Sequence, residues 1–180
     1  RTLKPSEKEA SSMVDLHALL MTTHIVALGG SLLRPEEAEK RSQWFGQLRQ
    51  LAVHLEGNGR RLGIVVGGGL PAREGITLAR SSFTDPYRLD TVGIAATRLN
   101  TTILQQSLLD IGCNVCPIIP HSTDEAAELL LEHNFVIMGG TTPGHTTDAV
   151  AVALARDSGA PHCVIATNVS HVHDSDPRTN

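Results

Sequence analysis

With 180 residues the chain is long enough for one domain with a substantial core. Its 41% hydrophobic and 19% charged content fits a folded globular protein and excludes a disordered one. A net charge of −4 and only three Phe, one Trp and one Tyr argue against a nucleic-acid surface, and no apolar run reaches membrane-spanning length, so neither partner is expected.

Residues 1–22 read as an N-terminal extension with one short, mildly amphipathic helix (Val14, Leu16, Leu19, Leu20), and residues 23–180 as the domain. No apolar core follows the opening charges of RTLKPSEKEASSM, so it is not a signal peptide. Together with an odd count of three cysteines, this points to a reducing, cytoplasmic setting.

His24 to Leu28 is an apolar strand closed by Gly29-Gly30-Ser31. Pro35-Glu36-Glu37 opens a helix, proline suiting the first turn and acids its positive end, and Gly57-Asn58-Gly59 stops it. Its Trp44, Phe45, Leu48, Leu51 and Leu55 offer either core cover or a face for a second copy. Arg60-Arg61 reads as a solvated turn. Leu62 to Val66 is a second strand, closed by Gly67-Gly68-Gly69, and a helix runs from Pro71 to about Arg80. SSFTDPY reads as a loop, and Asp90 to Ile111 as a helix with an apolar stripe of Val92, Ile94, Leu99, Ile103, Leu104 and Leu108. Val115 to Ile119 is expected as a third strand. Ser122-x-x-Glu125 is a capping box for a helix to about His133. Strand 135–138 runs into GGTTPGHTTDAV, where Thr146 or Thr147 caps a helix to about Ser158. Residues 162–166 form the last strand, ending in Thr167-Asn168.

Helices alternate with continuous apolar strands, the sign of an α/β protein with a mainly parallel sheet covered on both faces. Four of the five expected strands end in loops rich in Gly, Ser, Thr or Asn. Ligands of open α/β sheets bind outside the carboxyl ends of the strands, so the expected ligand is long and polyanionic. The last glycine loop feeds a helix N-terminus, whose amides and dipole favour an anion. Asp148 beside it would repel an anion and is better suited to orienting cations near a phosphate. There is no P-loop and no G-x-G-x-x-G fingerprint. Cys113-x-x-Cys116 lies in an expected strand, where residues three apart face opposite sides, so it is not read as a metal or redox pair.

The segments IVALGGSLL, VVGGGLPAR, DTVGIAATRLN, VIMGGTTPGHTTDAVA and ATNVSHVHDSDP, in this order and spacing over residues 24 to 178, resemble the amino acid kinase family, most closely its archaeal-type uridylate (UMP) kinases. The resemblance implies a three-layer αβα sandwich that lacks the family's C-terminal part, since members continue past the Asp-Pro at 176–177 with further strands and a helix. It implies transfer of the γ-phosphoryl of ATP to UMP, with Mg²⁺, in a homo-oligomeric (dimeric or hexameric) enzyme of pyrimidine nucleotide synthesis. Carried over by position, Gly29, Gly30 and Ser31 border the triphosphate, and Gly69, Arg73, Thr167, Asn168, His173 and Asp176 belong to the ATP side. Gly68 contacts UMP, Asp90 accepts from its ribose, and Thr141, Thr142, Pro143, Gly144, His145, Thr146 and Thr147 wrap its phosphate and uracil. Asp148 and Arg73 serve the transfer itself, and no residue is assigned as a resident metal ligand. Arg98 and Asn100 either touch nucleotide or are exposed helix residues. His162, His171 and His173 could bind a metal or be solvated.

The chain departs from the family in four places. Ala27 replaces a lysine found in many members, Ser170-His171 replaces Asp-Gly, His173 stands for an aromatic, and Leu70-Pro71 for a more polar helix start. Two alternatives follow: a non-catalytic nucleotide or oxyanion binder on the same fold, and a kinase of another acceptor such as a small acid or an isoprenoid phosphate.

Overall fold

A computed structural model describes residues 22–35 and 37–167. The expected helix within residues 1–22, and the assignments to Asn168, Ser170, His171, His173 and Asp176, lie outside these residues. In chain order the elements are β1 (Thr23–Leu28), α1 (Gly30–Leu33), α2 (Ala38–Gly57), β2 (Arg61–Val66), α3 (Gly69–Ala79), α4 (Pro86–Leu109), α5 (Thr123–Leu129), β3 (Phe135–Met138), α6 (Thr147–Asp157) and β4 (His162–Ala166). The strands form one sheet in the order β3-β2-β1-β4, and all three pairings are parallel.

Alternation along the strands divides the core in two. Ile25, Ala27, Val65, Val136 and Met138 face Val150, Ala151 and Leu154 of α6 and Ala126 of α5. Leu28, Ile64, Val66, Phe135 and Ile137 face Ala52 of α2 and Leu104 and Leu108 of α4. This is the expected three-layer αβα arrangement, with apolar burial on both faces as its main source of stability. Trp44, Phe45, Leu48 and Leu55 pack against the second cluster, whereas Leu51 is 51% exposed. Among the described residues no helix is long and apolar enough to cross a membrane.

The fifth strand is not there. Val115 makes a single bridge to Phe135, and Cys116 N–H donates to Phe135 O at 2.8 Å. The next residue, Pro117, has no N–H to continue the ladder. The carbonyls of Ile119 and Pro120 accept instead from the Arg98 guanidinium, each at 3.0 Å. Even so, Cys113 and Cys116 lie on opposite faces of the sheet, one in each half of the core. Burial pushes both thiols up.

Several boundaries also move; α3, for one, starts at Gly69 and not at Pro71, and α4 ends at Leu109 and not at Ile111. α2 starts at Ala38, beyond Pro35. α5 ends at Leu129 instead of running to His133. α4 starts at Pro86, because the Asp85 carboxylate accepts from Arg88 N–H at 2.9 Å and proline fits the first helical position. Asp90 is therefore in the second turn of a helix of 24 residues, with Asp85 as its N-cap and Pro86-Tyr87 inside the element and not in a loop. Arg61 is no solvated turn: it opens β2, is 7% exposed, and donates to Leu131 O at 3.0 Å.

Candidate functional site

The carboxyl ends of β1, β2 and β4 are tied by their own backbone. Gly29 N–H donates to Ala166 O at 2.9 Å, and Gly67 N–H to Leu28 O at 2.8 Å. The two glycine loops after β1 and β2 interlock: a Cβ on Gly30 would overlap Gly67 O and Gly69 N, and Gly69 holds φ +58°. Only glycine fits both positions. Ser31 lies in the one-turn α1, and exposed Thr167 lies beside Gly29, with its Cα 3.7 Å from where a Gly29 Cβ would stand.

Next to these loops is a cavity of about 260 Å³, lined by Gly68, Ala72, Asp90, Gly93, Ile94, Thr97, Gly140, Thr142, Pro143, Gly144, His145, Thr146 and Thr147. One wall is the loop after β3. Gly144, at φ +89°, donates its N–H to the Asp90 carboxylate at 2.7 Å. His145 N–H closes a turn onto Thr142 O at 3.2 Å. Thr146, the one of the two candidate caps that acts, accepts from Ala149 N–H at 3.1 Å and starts α6, so the positive end of α6 opens at the cavity. Gly29, Gly68, Gly144 and Thr167 thus lie along one edge of the sheet.

Asp148 is exposed in the first turn of α6. The Cys163 thiol of β4 is pushed up by burial first and by the Asp148 charge second, so this carboxylate is within electrostatic reach of the β4 side. Arg73 is exposed on α3 and does not line the cavity, unlike its neighbour Ala72. Thr141 is also outside the lining. Among the described residues there is no group of three or more His, Cys, Asp or Glu able to hold a metal.

The expected apolar stripe of α4 is rotated. Leu99 and Ile103 are 51% and 37% exposed, while Thr97, Asn100, Thr101 and Gln105 are buried beside Leu104 and Leu108. Arg98 and Asn100 are not ordinary exposed helix residues. Arg98 holds the segment after Pro117, and Asn100 is fully buried against the β2 loop. Thr97 was not singled out from the sequence, yet its hydroxyl accepts from Gly140 N–H at 2.7 Å and donates to Ile94 O at 2.7 Å. The available signal was periodicity: Leu89, Thr97, Asn100, Thr101, Leu104 and Leu108 keep helical spacing once small polar residues are admitted to the inner face.

The amino acid kinase family model matches residues 22–180. The chain is 40% identical over 156 residues to a uridylate kinase of Methanococcus maripaludis, covering 87% of this chain and 67% of that protein. It is 42% identical over 154 residues to a uridylate kinase of Thermoplasma volcanium, covering 85% and 64%. The crystal structure of uridylate kinase from Archaeoglobus fulgidus superposes with a TM-score of 0.70 at 37% identity, over 87% of this chain and 69% of that one. The chain therefore spans about two thirds of the length of these relatives. A parallel sheet edged by interlocked glycine loops, and a family match over almost the whole chain, lead to one conclusion: the protein belongs to the amino acid kinase family.

Proposed function

We propose that the protein is a UMP kinase, transferring the γ-phosphoryl of ATP to UMP to give ADP and UDP. The observation that carries this reading is the cavity walled by Gly68, Asp90 and the 142–147 loop, directly beside the paired glycine loops of β1 and β2. UMP occupies the cavity: Asp90 takes its ribose hydroxyls, and Thr142 to Thr147, at the positive end of α6, take its phosphate. ATP lies along Gly29, Gly30, Ser31 and Gly69 toward Thr167, and the resemblance assigns Asn168, His173 and Asp176 to the same nucleotide. The relatives' common name, uridylate kinase, supports UMP as the acceptor.

Phosphoryl transfer of this kind is positioning and charge neutralisation more than covalent chemistry. An oxygen of the UMP phosphate attacks the γ-phosphorus in line, and the bond to the β-phosphate oxygen breaks. The attacking oxygen is already anionic, so His145 is a contact and not a base. Arg73, exposed on α3, reaches the transferring group from the ATP side. Mg²⁺, when bound, neutralises charge on the phosphates. Magnesium is commonly held by one or two carboxylates plus phosphates, and a lone exposed Asp148 fits an ion that arrives with the nucleotide. Exposed Leu51 and Val53 on α2 fit self-association through that helix. Both nucleotides are soluble metabolites, which suits work in the cytoplasm.

The test is ADP formation that requires UMP and Mg²⁺ together. Asp148→Asn is expected to lower kcat by about a hundredfold or more with the fold intact. ATP binding without turnover would instead mean a non-catalytic binder, and transfer to another phosphate or acid but not to UMP would mean a different acceptor.

A further inference from the structure

We propose that Asn100 is a positioning residue for phosphoryl transfer: its buried carboxamide sets the two peptide units linking Gly67, Gly68 and Gly69, and so aims the Gly68 and Gly69 amides at the phosphates. The inference rests on the phosphotransfer reading above. The Asn100 side chain is 0% exposed. Its Nδ2 donates to Gly67 O at 2.8 Å and to Gly68 O at 3.0 Å, and its Oδ1 accepts from Arg34 Nε at 2.8 Å. A guanidinium can only donate, so Arg34 fixes which end of the carboxamide is oxygen and leaves the NH₂ for the two carbonyls.

The consequence follows from peptide geometry. In a trans peptide the N–H points opposite to the C=O. Holding the Gly67 carbonyl toward α4 turns the Gly68 N–H away from α4, and holding the Gly68 carbonyl does the same for Gly69 N–H. Three successive glycines have little preference of their own, since each visits both signs of φ. Something outside the loop must select one arrangement, and Asn100 makes both of the side-chain bonds that do so. The amides it aims belong to the N-cap, Gly68, and the first residue, Gly69, of α3, and have no intrahelical acceptor. Gly68 borders the acceptor cavity, and Gly69 N faces Gly30 of the first glycine loop. One carboxamide therefore sets donors on both sides of the transferring group, and through Arg34 it also holds the segment that follows α1.

A merely structural buried amide is available on the same helix as a control. Gln105 is 3% exposed and donates to Cys116 O at 2.9 Å, away from the glycine loops. Steady-state kinetics with ATP and UMP, measured below the melting midpoints of both variants, are expected to show kcat of Asn100→Ala about ten- to a hundredfold down. Gln105→Ala should stay within about twofold of the parent at a similar loss of melting temperature. Asn100→Asp, which keeps the acceptor for Arg34 but loses the NH₂, should be as slow as Asn100→Ala. Should neither Asn100 variant fold, Arg34→Ala decides, with an expected fall in kcat of about three- to tenfold. Equal kcat for Asn100→Ala and Gln105→Ala overturns the proposal, as does an Arg34→Ala of unchanged kcat when the Asn100 variants are unfolded. Failure of the kinase reading looks different: the parent forms no ADP with UMP. In that event the Gly68 and Gly69 amide resonances still decide, shifting on ATP addition in Gln105→Ala and not in Asn100→Ala if Asn100 aims them, and shifting alike in both if it does not.

Discussion

β3 and β4 are both outer strands of the same parallel sheet, yet they sit in opposite surroundings. Phe135, Val136, Ile137 and Met138 of β3 are all 0% exposed, whereas Val164 and Ile165 of β4 are 54% and 43% exposed. What differs is cover. β3 has Leu104 and Leu108 of α4 on one face, Val150 and Ala151 of α6 on the other, and Val115 bridged along its margin. β4 has no comparable cover on its exposed apolar positions among the described residues. The site divides along the same line. The half next to β3 is a walled cavity whose loop is held by Asp90 and Thr97, whereas among the described residues the half next to β4 is a rim tied by the bond from Gly29 to Ala166. A sheet edge thus becomes half of a binding site where helices brace its loops, not merely where glycines end its strands.

The strongest way to break this comparison is to truncate one side chain on each edge. Ile137→Ala removes buried methyls from a packed layer and is expected to cost about 2–5 kcal/mol. Val164→Ala, at a half-exposed position, should cost less than about 1 kcal/mol. Urea unfolding of the two variants reads the difference, and equal losses would mean that β4 is as enclosed as β3.

A smaller effect, on binding and not on folding, sharpens the same contrast. Asp90 accepts the Gly144 amide in a charge-assisted bond of 2.7 Å. Losing a bond to a charged group costs about 1.5–3 kcal/mol, or roughly ten- to a hundredfold. Asp90→Ala should raise the KM for UMP by that factor and leave the KM for ATP nearly unchanged. If both constants rise together, the two halves of the site are not separately braced.

Much of this was legible in the sequence because it rests on local chemistry. Glycine runs mark the strand ends, the Ser122 and Thr146 hydroxyls cap the helices that follow them, and FVIM is a strand because every one of its side chains is buried. What was not legible depended on distant partners. Val115 to Ile119 has strand composition, but the Pro117 nitrogen removes the donor that a ladder needs, and Arg98, far away in sequence, takes the carbonyls. Asn100 and Thr97 look like interruptions in an apolar stripe until the glycine loops they hold are folded against them. A polar side chain on the inner face of a helix costs stability unless it is paired, and no residue pattern announces a partner 33 or 43 positions away. The Asp85 cap was hidden for a simpler reason: Asp-Pro is turn chemistry and helix-start chemistry at once.

The smallest expected effect concerns the other end of β4. His24 and His162 are register partners on β1 and β4, with ring centroids 5.7 Å apart and planes within 7°. Desolvation lowers the His24 pKa below its ordinary 6.5, and Arg60 and His162 lower it further. The sign follows from where the proton is held more tightly. In the unfolded chain His24 titrates near 6.5, whereas in the folded protein it resists protonation until lower pH. Its contribution is therefore fully present above that value, and it is lost as pH falls through the lowered folded value. His24→Gln takes no proton in either state, so its melting temperature should fall less than the parent's between about pH 7.5 and 5.5. Parallel curves for parent and variant would mean that this end of β4 is open enough to solvate a charged ring. The stacked pair would then not help hold β4 to β1, and the bond from Gly29 to Ala166 at the opposite end would carry more of the strand's attachment.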